Sequence, residues 1–405
     1  MAYTITQKVP IVVGVGALQA AAEKIRDELK FKKVLLVYDQ NIAKTGNADK
    51  VKAAFEVAGL ECFVYDKCER DAPEHCCDEV AKMGLENQAE ILVAIGGGST
   101  MDTTKGACVV MGNGGKMHDW LMQNPYRKAG KSTVEAFMKP LGYKKNVPCV
   151  CIPTTSGTGS ESGSWAVIHD EELHMKDCIM YEAEFAVIDP EMTVTCPDFV
   201  TTDCAFDALA HAAESITSRN GSVNIYDDML GSGVTQMVFE YLEKAVKDPG
   251  DLYAREKLAT AATLAGFCLN YATAHVGHTI ADGLLYRFNF SHGYACLLAL
   301  PGSIELAAPY TTEQVKHLIK AQGGQLTGNE TPEELGSIVA ENYRKLARAC
   351  GVKTPKDKGI TRDEFISDET VEACFGDKLA IASCPKDNIT KEDIRKILID
   401  IYDKL

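Results

Sequence analysis

The chain has 405 residues, of which 46% are hydrophobic and 24% charged, an ordinary balance for a globular protein and a length that suggests two domains. Its formal charge of −15 repels a phosphate backbone or an anionic bilayer, and no stretch approaches the ~18 unbroken apolar residues of a membrane span, so neither nucleic acid nor membrane is an expected partner. The fifteen cysteines contain no C-x-x-C pair and several stand among apolar neighbours, which reads as buried reduced thiols in a cytoplasmic protein.

The first half alternates short apolar runs with helical periodicity. Val9 to Val13 reads as a strand and Ala17 to Leu29 as a helix; the polar segment before them argues against a secretory signal. Lys33 to Tyr38 is a buried-strand pattern ending at Asp39. Val51 to Ala58 reads as a helix, Glu61 to Tyr65 as a strand, Glu74 to Asn87 as a helix and Ile91 to Ile95 as a strand. This order predicts a doubly wound parallel sheet, which binds ligands beyond the carboxyl ends of its strands. Residues 112–147 are less regular and read as a surface excursion before strands at Val147 to Ile152 and Phe185 to Pro190. After Pro197 the pattern is almost wholly helical, and the proline-free stretch from Pro249 to Pro301 has room for two or three long helices. The expected organisation is an α/β domain over residues 1–197 and an all-α domain over 198–405.

Gly96-Gly97-Gly98-Ser99 follows a strand and opens a helix, where free N–H groups and the helix dipole suit a pyrophosphate. Asp102 and Lys105 follow, either as contacts to a cofactor's polar parts or as a solvated i,i+3 ion pair. Asp39, at a strand end, suits a ribose diol and repels a 2′-phosphate, favouring NAD over NADP. Thr154, Thr155 and Thr158 lie in a hydroxyl- and glycine-rich loop after the next strand, placed for ligand contact.

Asp207 and His211 are four residues apart in a strongly helical window, so both face one side. His275, His278 and His292 follow. One carboxylate with neutral imidazoles suits Fe²⁺ or Zn²⁺ and leaves positions open for a substrate.

These pieces, with Asp189-Pro190, Glu214 and the order in which they occur, resemble the iron-containing (group III) alcohol dehydrogenases over some 300 residues. The resemblance implies a Rossmann-like cofactor domain followed by a helical metal-binding domain, as in the dehydroquinate synthase-like fold, with the active site in the cleft between them. It implies Asp207, His211, His278 and His292 as ligands of Fe²⁺, with Zn²⁺ or Mn²⁺ as alternatives. It implies NAD contacts from Asp39, Gly96, Gly97, Gly98, Ser99, Asp102, Thr154, Thr155, Thr158 and Lys176, and a homodimer or larger homo-oligomer. Where the family commonly has a histidine four residues after its third ligand, this chain has Asp282. Asp282 and His275 are therefore the candidate catalytic proton carriers; His275 is also an alternative ligand, on nearly the same helical face as His278. The expected reaction interconverts a small primary alcohol and its aldehyde by hydride transfer. Alternatives are reduction of a small polar or anionic aldehyde, polyol oxidation like that of glycerol dehydrogenases, non-redox chemistry like that of dehydroquinate synthase, and a non-catalytic scaffold.

Overall fold

The structure, a computed structural model, describes residues 6–122, 142–144, 147–172, 175–219 and 225–405. The chain divides into two compact units, Met1–Thr155 with Gly159–Thr195, and Ser156–Thr158 with Cys196–Leu405. Much of the expected 112–147 excursion lies outside the described residues.

The first unit is built on β1 (Ile11–Val13), β2 (Lys33–Val37), β3 (Glu61–Tyr65), β4 (Ile91–Gly96), β5 (Cys149–Pro153) and β8 (Phe185–Ile188). They form a parallel sheet in the order β1-β8-β5-β4-β2-β3. The strands β4, β5 and β8 are buried at every position, which is why they read as unbroken apolar runs. Leu36, Val93, Ile95, Val150 and Ile152 form one core with residues of α1 (Ala17–Asp27) and α3 (Asn47–Val57). The short α2 (Gln40–Thr45) precedes α3, while α4 (Glu74–Glu86), α5 (Gly98–Asn113) and α6 (Met117–Trp120) follow β3 and β4.

The chain runs outward from β2 to β3 and then returns to place β4 on the other side of β2. That reversal makes the gap between β2 and β4 the topological switch point, where the carboxyl ends of doubly wound strands leave room for a ligand. Asp39 and the Gly96–Ser99 turn follow those two strand ends.

One element was not anticipated. β6 (Trp165–Asp170) and β7 (Met175–Met180) make a separate antiparallel pair, in register from Trp165 opposite Met180 to Asp170 opposite Met175. The alternating burial along β6 is the period-two signal of a strand with one covered face.

Lys105 fastens the approach to this pair to α5. Its fully buried Nζ lies 2.5 Å from the Ser160 carbonyl, 3.1 Å from Ser160 Oγ, 3.1 Å from the Gly163 carbonyl and 3.0 Å from the Trp165 carbonyl. It is thus neither a solvated surface charge nor a free contact for a cofactor. Lys105→Met would remove the ammonium that these oxygens share and the cation that offsets the buried Asp102. A stability loss of about 3–5 kcal/mol is expected, read as an earlier denaturant midpoint of the first unit.

The second unit comprises α7 (Asp198–Thr217), α8 (Ile225–Lys247), α9 (Leu252–Cys268), α10 (Val276–Phe288), α11 (His292–Ala307), α12 (Thr312–Ala321), α13 (Pro332–Ala349), α14 (Arg362–Phe365), α15 (Asp368–Ala373), α16 (Lys378–Ser383) and α17 (Lys391–Lys404). Leu209, Ile216, Leu258, Ile280, Leu284, Leu297, Val339 and Leu398 belong to a single apolar core. No helix among the described residues is long and apolar enough to cross a membrane.

Candidate functional site

In the second unit, α7 presents Asp207 and His211 from successive turns. His278 stands in the first turn of α10, and His292 is the first residue of α11, whose start is capped by Ser291. Asp207, His211, His278 and His292 each direct a donor atom to one point, all four atoms within 4.8 Å of one another. Asp207 Oδ1 is 3.6 Å from Nε2 of both His211 and His292. The His211 and His278 rings stack with centroids 4.8 Å apart.

The electrostatics match this geometry. Burial alone would raise the Asp207 carboxyl, but the surrounding imidazoles outweigh it and hold the group low. Burial pushes the His211 imidazole down to about 4, keeping it neutral and able to ligate. Asp207 Oδ1 is buried and accepts no hydrogen bond from the described residues, a costly state for a carboxylate oxygen unless a cation satisfies it. One hard oxygen and three imidazole nitrogens fit a divalent transition ion such as Fe²⁺ or Zn²⁺.

Glu214, one turn beyond His211, supports the set from behind. Its fully buried Oε2 lies 2.6 Å from His278 Nδ1 and also accepts the backbone N–H groups of His275 and His278, while Oε1 accepts that of Gly277 at 2.7 Å. With Nδ1 committed as donor, His278 turns its unprotonated Nε2 toward the other ligands. Gly277 is needed because a Cβ there would overlap Glu214 Oε1.

His275 does not join the four donors. The helix begins only at Val276, and the backbone of His275 lies at φ −128°, ψ −134°, outside helical space. It therefore does not share a helical face with His278. Its ring is completely buried, with Nε2 2.9 Å from Thr217 Oγ1 and Nδ1 3.2 Å from Glu214 Oε1. Asp282 is one turn beyond His278, its Oδ1 3.6 Å from His292 Nδ1 and its side chain 26% exposed.

Asp203, a turn before Asp207, accepts the Ser291 hydroxyl at 2.6 Å and so ties α7 to the start of α11. Burial pushes its carboxyl up to about 6 despite the opposing hydrogen bond from Ser291. The native state thus holds this proton more tightly than the unfolded chain does, where a carboxyl titrates near ~3.9. Ionisation costs native stability: fully above pH 6, not at all below about 4. Asp203→Asn keeps the Ser291 acceptor and is expected to raise the unfolding temperature at pH 8 while leaving it unchanged near pH 3.

In the first unit, β4 ends at Gly96 and α5 starts at Gly98. The Thr154 N–H donates to the Gly96 carbonyl at 3.0 Å, while Thr155 Oγ1 would lie only 3.1 Å from a Cβ at Gly97. A Cβ at Gly96 would also overlap Thr100 Oγ1 at 2.6 Å, so the turn favours glycine. Thr154 Oγ1 is buried without a hydrogen-bond partner, as expected of a hydroxyl that completes its bonding with a bound molecule. Ser99 Oγ accepts the Asp71 N–H at 3.0 Å. Asp39 Oδ1 caps α2 through the N–H groups of Asn41 and Ile42. Asp102 is committed within the protein: Oδ1 accepts Ser160 Oγ at 2.6 Å and Oδ2 accepts the Val167 N–H at 3.0 Å. Burial raises the Asp102 carboxyl, and the charges of Lys105 and of Lys176 on β7 offset part of that rise. Thr158 belongs to the second unit, with Ser156 and Gly157.

Known proteins are similar in sequence over most of this chain. A choline dehydrogenase of Bacillus subtilis is 32% identical over 91% of this chain and 89% of its own length. An NAD-dependent methanol dehydrogenase of Bacillus methanolicus is 30% identical over 82% of this chain and 84% of its own. The solved alcohol dehydrogenase from Oenococcus oeni superposes with a TM-score of 0.87 at 26% identity, covering 99% of this chain and 100% of that one. The family models "Iron-containing alcohol dehydrogenase" and "Fe-containing alcohol dehydrogenase family, C-terminal" match residues 9–190 and 201–402, so the chain belongs to the iron-containing alcohol dehydrogenase family.

Proposed function

We propose that this protein is a metal-dependent oxidoreductase that interconverts a small primary alcohol and its aldehyde with NAD(H). The observation that carries the reading is the convergence of Asp207, His211, His278 and His292 around a buried carboxylate oxygen that has no hydrogen-bond partner among the described residues. When bound, a divalent ion supplies Lewis acidity at the substrate oxygen, and NAD supplies the hydride acceptor.

The remaining work falls to side chains. Asp207, His211, His278 and His292 hold the ion, and Glu214 fixes the tautomer of His278. Gly96 to Ser99 and the start of α5 receive the pyrophosphate, with Thr154 Oγ1 as a hydroxyl contact. Thr155, Thr158 and Lys176 are further cofactor contacts. The Oδ2 atom of Asp39 is the acceptor for the ribose, since Oδ1 caps α2. Asp102 acts indirectly, by fixing Ser160 and β6. Asp282 is partly open to solvent beside His292 and is the group placed to take up the alcohol proton. His275, buried behind Glu214, acts as a support rather than a proton carrier.

A second reading concerns substrate charge. The Asp282 carboxylate favours a neutral polyol or a cationic alcohol over an anionic aldehyde. The B. subtilis relative carries the name choline dehydrogenase, and choline is such a cationic alcohol. Reduced thiols at all fifteen cysteines support a cytoplasmic location, and a homo-oligomer is proposed with it.

The test joins metal analysis to an NADH-oxidation screen across short neutral, cationic and anionic aldehydes, repeated with NADPH. Metal-dependent oxidation of NADH, weak with NADPH, is expected. Absence of net NADH turnover in metal-replete protein with every aldehyde would defeat the redox reading and leave non-redox chemistry or a scaffold in its place.

A further inference from the structure

A second group of metal-type donors occurs in the first unit, at the amino end of α4. Glu69 comes from the loop after β3, and His75 and Cys76 from the first turn of α4. His75 Nε2 lies 3.5 Å from Cys76 Sγ and 3.4 Å from Glu69 Oε1. A tetrahedral zinc ion with ordinary bond lengths sets its nitrogen and sulfur ligands about 3.5 Å apart and its nitrogen and oxygen ligands about 3.3 Å apart. Both separations thus match edges of a zinc coordination shell, and all three donor atoms lie within 4.8 Å of one another.

A fourth residue shows that the imidazole is aimed. Glu171, after β6, accepts the His75 backbone N–H at 2.9 Å through Oε2, and its Oε1 lies 2.9 Å from Nδ1. This carboxylate fixes both the backbone and the ring, leaving Nε2 to face the cysteine and Glu69, as a carboxylate behind a ligating histidine does. The geometry points to a binding site for a zinc-like divalent cation formed by Glu69, His75 and Cys76, separate from the four donors of the second unit.

Cys76 is buried, and burial raises its thiol, so the proton stays on sulfur at neutral pH until an ion displaces it to solvent. The Glu69 and His75 side chains are 62% and 43% exposed, which gives the ion an entry route and a place for a water as fourth ligand. The site also reaches the cofactor turn. The loop from Glu69 to α4 passes through Asp71 and Ala72, both in the left-handed region at φ 65° and 50°, and the Asp71 N–H holds Ser99 Oγ. A cation joining Glu69 to α4 clamps both ends of that loop and stiffens the support of Ser99.

The experiment uses the holoenzyme with its own ion and NAD in place, exposed to Zn²⁺ and then freed of excess. One further equivalent per chain is expected in the wild type and in Asp207→Ala. It should be lost, with affinity lower by at least tenfold, in Cys76→Ser and His75→Ala, while aldehyde reduction without added zinc continues in both. Co²⁺ in place of Zn²⁺ should give a thiolate charge-transfer band that Cys76→Ser removes. The wild-type stoichiometry persisting in both variants would overturn the site, as would loss of the ion in His118→Ala alone, which would move it to the neighbouring Glu74, His118 and Asp170 group. Loss of zinc in Asp207→Ala with retention in Cys76→Ser would likewise overturn it, assigning the ion to the second unit.

Discussion

Asp207→Ala is expected to lose bound metal and turnover together while the helical unit stays folded. Asp207 is the one carboxylate among the four donors, and its Oδ1 has no hydrogen bond among the described residues. Removing it takes away the only negative charge in the ligand set and widens the gap between His211 and His292, each 3.6 Å from that oxygen. A Lewis acid stabilises developing charge by several kcal/mol, so kcat should fall by about 10³-fold or more. Stability should change far less, because the substitution also removes the cost of burying a carboxylate. Metal content by elemental analysis, turnover and circular dichroism decide the matter. An Asp207→Ala protein that is metal-free and yet turns over at the wild-type rate would remove the basis of the proposed chemistry.

Glu214→Gln should weaken metal binding without touching a ligand. The glutamine oxygen can still accept the Gly277 N–H, but its amide nitrogen then faces His278 Nδ1, where a carboxylate oxygen now lies at 2.6 Å. An amide donor there favours the other tautomer, with the proton on Nε2, and a protonated Nε2 cannot ligate. Loss of such a supporting carboxylate costs roughly 10–100-fold in metal affinity or activity. Excess metal should restore much of the turnover in Glu214→Gln but none in Asp207→Ala. Glu214→Ala is the harsher change. It strands the N–H groups of His275 and Gly277, at about 1–3 kcal/mol for each one left unsatisfied, while the His278 N–H keeps the His275 carbonyl at 3.0 Å. Glu214→Gln in that orientation loses the acceptor of His275 but keeps that of Gly277, so Glu214→Ala should unfold more readily than Glu214→Gln. Equal metal affinity in wild type and Glu214→Gln would show that the tautomer of His278 is set elsewhere.

Family membership also has consequences for the parts of the fold that were expected from pattern. The parallel sheet and the helical unit were both foreseen, because apolar periods of two and 3.6 are local properties of the chain. Of the helices, α9 and α10 lie within the proline-free stretch for the same reason, whereas α11 starts in it and continues through Pro301 to Ala307. The β6 and β7 pair escaped, although β6 alternates cleanly, because its hydroxyl-rich approach gave no strand signal and Lys105 supplies the fastening from a distant helix.

Within the site, the sequence alone determined what lies within one or two turns: Asp207 and His211 on one helical face, and a glycine turn at the end of a strand. Those relations follow from fixed backbone periods and need no knowledge of packing. Tertiary structure decided the rest. The spacing of His275 and His278 suggested a shared face, but α10 begins between them, and Glu214 draws one ring toward the other donors and the other into the interior. Asp102 and Lys105 likewise read in the sequence as cofactor contacts or as an exposed pair, yet both are buried against residues more than fifty positions away. Local spacing fixes direction along one helix, whereas which side chain meets a partner from another segment depends on how the helices pack and on which buried polar atoms must be satisfied.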